Sequence, residues 1–213
     1  MKDIVLIGYS GHAFVIADIL EKENNIIGYL DISKKNVNPY KLNYLGNEDS
    51  EGAKEMLKNS YFFVAIGNNI LRHRIFEKIE NSFNTRGSVK AIHRSAIISD
   101  HATIEKGVLI SANATINPLA KVGKGVICNT SSVIEHECNL GPFVHVGPGA
   151  ILCGAVSVGE NSFIGANSVV KEGTKIGKNV VIGAGSVVLK DIVDNLTVVG
   201  NPQRTLRRSI NDK

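Results

Sequence analysis

A six-residue repeat running from Ile92 to about Val193 decides most of what this chain can fold into. Steps of six from Ile92 land on Ile98, Ile104, Ile110, Ile116, Val122, Cys128, Ile134, Leu140, Val146, Leu152, Val158, Ile164, Val170, Ile176, Ile182 and Val188. All are aliphatic except Cys128, which packs as a small hydrophobe. Four residues after each stands a second small or aliphatic residue, from Ala96 and Ala102 to Ser186 and Ile192. That second position lies two residues before the next first position, so both side chains point to one side of a strand. Glycine follows the first position at Gly123, Gly141, Gly147, Gly159, Gly165, Gly177 and Gly183, and is expected there to supply left-handed turns.

A short strand and a sharp turn every six residues is the signature of a parallel β-helix. Three hexads make one triangular coil, so residues eighteen apart stack on one another. The repeat predicts between five and six coils, a prism roughly 25–30 Å long at a strand spacing of about 4.8 Å. Sandwich loops vary in length and would break so long a register.

Residues 1–86 are a different kind of chain. The run DIVLIG predicts a buried strand ending at Gly8, and residues 13–23 carry apolar side chains at helical spacing. Strands are expected over 25–30 and 61–66, and a second helix over 71–83. Strand, glycine loop, helix, strand is a βαβ unit, so the expected organisation is a Rossmann-like domain at 1–86 and a β-helix at 87–213. A glycine loop opening a helix offers backbone N–H groups to an anion, and Asp31 ends the second strand where it can accept from a ribose or base. Gly8-x-x-Gly11 by itself fits a tight turn equally well. Together with Asp31 and Gly67 at the strand ends, it points to a nucleotide-type ligand rather than a redox dinucleotide.

Composition narrows the partners. The 213 residues are 43% hydrophobic and 21% charged, with no apolar run long enough for a membrane span or a signal-peptide core. Three cysteines without metal-ligand spacing suit a reducing, cytoplasmic compartment. A net charge of +4 on scattered lysines suits an anionic small molecule and does not indicate nucleic acid.

On the prism, the unusual outward residues cluster at Glu135, His136 and Glu137, with His145 nine residues on. Gly154 is eighteen residues beyond His136 and is expected to stack beside it, leaving room at the imidazole. Histidine exchanges a proton readily near neutral pH, and an adjacent carboxylate can fix its tautomer. Taken alone, His145 fits a surface residue as well as a functional one.

These motifs bring a family into view. The prism resembles the left-handed β-helix acyltransferases that use acetyl-CoA. The whole chain is similar to the bacterial UDP-4-amino-sugar N-acetyltransferases and the related sialic-acid O-acetyltransferases. The likeness is carried by Ser10-Gly11-His12, by residues 65–69 (AIGNN), and by residues 129–138 (NTSSVIEHEC). It implies acetyl transfer to the amino group of a UDP-4-amino-dideoxy sugar in glycan biosynthesis, with acetyl-CoA as co-substrate and no metal. By that resemblance His136 is the proton acceptor and Glu137 tunes it. Ser10, Gly11, His12, Asp31, Ile32 and Gly67 would hold the nucleotide-sugar, Ile32 standing where some relatives have a second acid. Asn129, His145, Gly154, Ala166 and Ala184 would line the acetyl-CoA site, and residues 199–202 (VGNP) would close the prism.

An amine can attack a thioester directly, so no Ser or Cys nucleophile is required. A γ-type carbonic anhydrase would need three histidines on zinc, and a nucleotidyltransferase a larger front domain. Sialic-acid-type O-acetylation and a non-catalytic nucleotide-sugar scaffold stay open. Nine residues is half a coil, so His136 and His145 are expected on different faces. If both serve one site, the site is shared between neighbouring chains of a homotrimer.

Overall fold

The computed structural model describes residues 1–206, so the last residues of the second predicted domain lie outside the described residues. The chain opens with β1 (Asp3–Ile7), α1 (Gly11–Leu20), β2 (Asn25–Leu30), α2 (Glu51–Lys58), β3 (Tyr61–Val64) and α3 (Asn69–Ser82). The three strands form a parallel sheet in the order β2-β1-β3, a small Rossmann-like unit. Helix α2 is the element that the sequence pattern missed. Ser50 caps it, its side chain accepting from the Ala53 amide, and Ala53 and Leu57 bury one face.

From Ala91 onward short strands, nearly all of two residues, alternate with turns to form the left-handed β-helix. Its three sheets have eight, six and five strands, parallel except for the last strand of the largest. Register is eighteen residues through the hexads, as in Ile127 opposite His145 and Val133 opposite Ile151, and shortens to sixteen at the last coil, where Val181 pairs with Thr197. The repeat's first positions fill the interior, from Ile110 to Val188, all essentially inaccessible. Ile92, at the open end, is 40% exposed. At the other end Thr197–Val199 continues the largest sheet, and Arg204–Thr205 pairs antiparallel to it across the turn at Gly200 and Pro202.

The glycines after the first position play a different part from the one expected. None of Gly123, Gly141, Gly147, Gly159, Gly165, Gly177 and Gly183 has a positive φ. A Cβ on Gly159 would lie 2.6 Å from the Gly177 backbone, and one on Gly165 2.5 Å from Ala184 N. They are glycine because successive coils approach too closely there for a side chain. The left-handed turns sit two residues later, at Gly107, Asn113, Leu119, Gly125, Ser131, Glu137, Phe143 and their successors.

Each prism face shows one outward column. The largest sheet presents Ala91, Leu109, Ile127, His145, Phe163 and Val181. The front domain covers the first four, packing β1, β3 and α1 against Ala91, Leu109 and Ile127. The six-stranded sheet presents Ile97, Thr115, Val133, Ile151, Val169 and Val187, a mostly apolar face that no described residue covers. The five-stranded sheet presents Thr103, Lys121, Asn139, Ser157 and Lys175, a polar one.

Helix α3 lies along a corner of the prism and fixes the front domain on it. Its stripe Asn69, Arg72, His73, Phe76, Glu77 and Glu80 meets the stacked turns at 106–107, 124–125, 142–143 and 160–161. His73 stacks on the Phe143 ring at 4.1 Å, Phe76 meets that ring edge-on, and Lys124 and Lys106 pair with Glu77 and Glu80. A helical turn of about 5.4 Å runs beside coils about 4.8 Å apart, so each turn of α3 finds a fresh coil.

Candidate active site

At the carboxyl ends of β1, β2 and β3 a crevice of about 430 Å³ is lined by Ser10, Asp31, Ile32, Lys35, Gly67 and Arg74, among others. Gly8 makes its sharp turn at φ +88°, and a Cβ there would strike Ile66. The Asp31 carboxylate accepts from the Tyr9 amide at 2.9 Å and pairs with Lys35 Nζ at 2.7 Å. Both oxygens are therefore oriented, and each keeps lone-pair capacity for a further donor. Ile32 stands at the rim, 84% exposed. Of the residues expected to hold a nucleotide, Ser10, Asp31, Ile32 and Gly67 meet in this crevice, and Gly11 and His12 do not line it.

His12 instead turns under Gly67 towards the prism, its ring centroid 6.3 Å from that of His145. His145 is 8% exposed. It packs edge-on against Phe163 at 5.0 Å, with Nε2 3.2 Å from the Asn129 amide nitrogen. Burial, and then the Arg72 charge, lower the His12 pKa to about 4. Burial, then Arg72 and His12, lower that of His145 to about 3. Both imidazoles are neutral at physiological pH, and His12 Nε2 and His145 Nδ1 have no protein partner.

His136 stands at another corner, in solvent. Its ring lies across Gly154, where a Cβ would be 2.5 Å from Cε1. The missing side chain thus makes room for the imidazole itself. Nδ1 is 3.1 Å from the Glu137 carboxylate, which faces back because Glu137 takes the left-handed turn position at φ +62°. With Nδ1–H donating to that carboxylate, Nε2 carries the lone pair. Glu135 points elsewhere and accepts from the Asn117 amide at 2.7 Å. Ala166 and Ala184 stack on the corner across the apolar face from His136, next in the coil after the glycines that follow Asn129. No three His, Cys, Asp or Glu side chains among the described residues are placed to hold a metal ion. Burial pushes the thiols of Cys138 and Cys128 up to about 11 and 12, so both stay protonated and inert.

Residues 3–79 match the PglD N-terminal domain, and residues 155–190 the hexapeptide repeat of succinyl-transferase. A histidine-to-asparagine mutant of perosamine N-acetyltransferase from Caulobacter crescentus, in complex with CoA and GDP-perosamine, is 32% identical. It aligns over 97% of this chain and 98% of its own, with a TM-score of 0.89. The chain belongs to the hexapeptide-repeat sugar N-acetyltransferases. Within that family the acetyltransferase domain of PglB from Neisseria gonorrhoeae FA1090, in complex with acetyl coenzyme A, is 31% identical. That alignment covers 96% of this chain and 99% of the domain, with a TM-score of 0.85. The UDP-N-acetylbacillosamine N-acetyltransferase of Bacillus subtilis (strain 168) is 32% identical over 115 residues, which is 53% of this chain and 52% of that protein.

Sequence reasoning passed over Lys35, Arg74 and Arg72. Lys35 and Arg74 add positive charge to the crevice. Arg72 left one sign: a charged residue on the helix stripe shared by Asn69, Ile75, Phe76 and Ile79, all buried.

Proposed function

We propose that this member of the family moves an acetyl group from acetyl-CoA to the amino group of a UDP-4-amino-dideoxy sugar, with His136 as general base. The observation that carries the reading is the His136–Glu137 pair: an exposed imidazole held over Gly154, its Nδ1 oriented by a carboxylate and its Nε2 left with the lone pair. The amine lone pair attacks the thioester carbon, a C–N bond forms, and the C–S bond breaks. The amine proton passes to His136 Nε2 and from there to the departing thiolate. The protonated, buried thiols of Cys128 and Cys138 favour this direct attack over an acyl-enzyme on either.

The nucleotide would lie in the crevice, its diphosphate near Lys35 and Arg74 and its ribose or base by Asp31. The CoA arm would run past Asn129, Ala166 and Ala184. The geometry supports a homotrimer with shared sites. The uncovered apolar face is flanked on one edge by the His136 corner and on the other by the Ala166 and Ala184 corner. Three prisms packed with that face inward bring one chain's His136 beside the next chain's alanines.

The test is thiol release from acetyl-CoA by purified protein with UDP- and GDP-linked 4-amino sugars and with sialic acids. Relatives name both nucleotides, UDP for the Bacillus protein and GDP for the Caulobacter one. Acetylation of the UDP-linked amine with the highest kcat/KM is expected, and turnover of sialic acid hydroxyls alone would overturn the reading.

A further inference from the structure

Arg72 is the largest fully buried side chain in the described structure, 2% exposed, and no carboxylate among the described residues pairs with it. Burial lowers its pKa to about 9, so it stays charged at neutral pH. All five of its N–H donors are used. Nε donates to Gly125 O at 2.8 Å, and one Nη to Ile66 O and Gly67 O at 3.1 and 3.0 Å. The other Nη donates to Asn69 Oδ1 and Phe143 O at 3.0 and 2.9 Å. Ile66 and Gly67 line the crevice, whereas Gly125 and Phe143 are stacked turns of the prism. Asn69 extends the grip one coil further, donating to Asn161 O and Ser162 O at 3.0 Å each.

A planar fork that joins two crevice carbonyls to two prism carbonyls sets the position of one domain on the other. We propose that Arg72 is a positioning residue: through Ile66 and Gly67 it fixes where a crevice-bound nucleotide delivers its amino sugar relative to the prism. The inference rests on the transfer reaction proposed above. Reacting atoms must come within about 3–3.5 Å, and a displacement near 1 Å costs about 10²-fold in rate. Lysine has three donors on one nitrogen and cannot span the four carbonyls.

The experiment compares two acceptors in the full chain carrying Arg72→Lys: the nucleotide-linked amino sugar, and the same amino sugar free of nucleotide at high concentration. The free sugar makes no use of the crevice. Expected is a loss in kcat on the order of 10²-fold with the linked acceptor. KM for acetyl-CoA, calorimetric nucleotide affinity and kcat/KM for the free sugar should stay within about threefold. An equal loss on both acceptors, or no loss, overturns the proposal. If Arg72→Lys does not fold, Asn69→Ala carries the same comparison with a smaller loss. If the wild type acetylates no linked amine, the transfer reading fails. Spin labels at Glu55→Cys and Lys121→Cys, in a Cys153→Ser background, then judge Arg72 alone. A broadened interdomain distance distribution in Arg72→Lys supports positioning, and an unchanged one overturns it.

Discussion

His136 and His145 are close in sequence and opposite in environment: one sits in solvent over a glycine, the other is sealed under a second domain. The stacking of His136 on Gly154 was legible because an eighteen-residue stride fixes every neighbour on a prism. The burial of His145 and His12 was not, because it depends on how another domain docks. The difference predicts two behaviours. His136→Ala should lower kcat by about 10²–10⁴-fold with KM for acetyl-CoA nearly unchanged, measured by steady-state thiol release. Turnover within a few-fold of wild type would remove His136 as the base. His12 and His145 should also tie stability to pH. Their folded pKa values, about 4 and about 3, lie below the value of 6.5 for a free imidazole, so the unfolded chain binds more protons in acid. The stability they contribute is complete above pH 6.5 and falls as pH drops towards those values, by about 1.4 kcal/mol per pH unit for each. Denaturant melts between pH 7 and pH 5 should show this slope, and His12→Gln should remove about half of it.

Among the elements, the prism was readable strand by strand because a two-residue strand with an inward side chain leaves nothing for tertiary context to override. Helix α2 was missed because only Ala53 and Leu57 are buried among its polar residues. The purpose of the glycines was also misread. A glycine run in a repeat can mean left-handed backbone or close approach, and the spacing alone does not separate the two. The structure does, and the distinction is measurable. Gly159 has a non-positive φ, but a Cβ there meets the next coil at 2.6 Å. Gly173 has φ +70° with nothing within 4 Å. Gly173→Ala should therefore cost about 1–2 kcal/mol of backbone strain. Gly159→Ala must push two coils apart and should cost about 3 kcal/mol or more. Equal losses in equilibrium unfolding of the two variants would contradict the assignment of Gly159 to coil stacking.

At the scale of the whole molecule, the prism has one face covered by the front domain and one apolar face that no described residue covers. The first is satisfied within the chain by α1 and α3, which is why deletion of 1–86 should expose Leu109, Ile127 and Phe143 and yield a prism prone to association. The second, Ile97, Val133, Ile151, Val169 and Val187, is the face that the proposed trimer would bury. The sequence held both columns at a stride of eighteen, but only the placement of the front domain shows which face it uses. If three prisms meet on the apolar face, each site takes His136 from one chain and the Ala166 corner from the next. Mixing two dead variants tests this. His136→Ala lacks the base, and Ala166→Trp fills the CoA groove with an indole, so neither homotrimer should turn over. After random subunit exchange, an interface is intact when an Ala166→Trp chain supplies His136 and a His136→Ala chain supplies the groove. About a quarter of interfaces meet that condition, so activity should recover to about a quarter of wild type per site. Sites contained within one chain would stay dead in every mixture, because each chain would carry its own defect. Zero recovery after mass-verified exchange, or a monomer at assay concentration, would therefore place the whole reaction on a single prism.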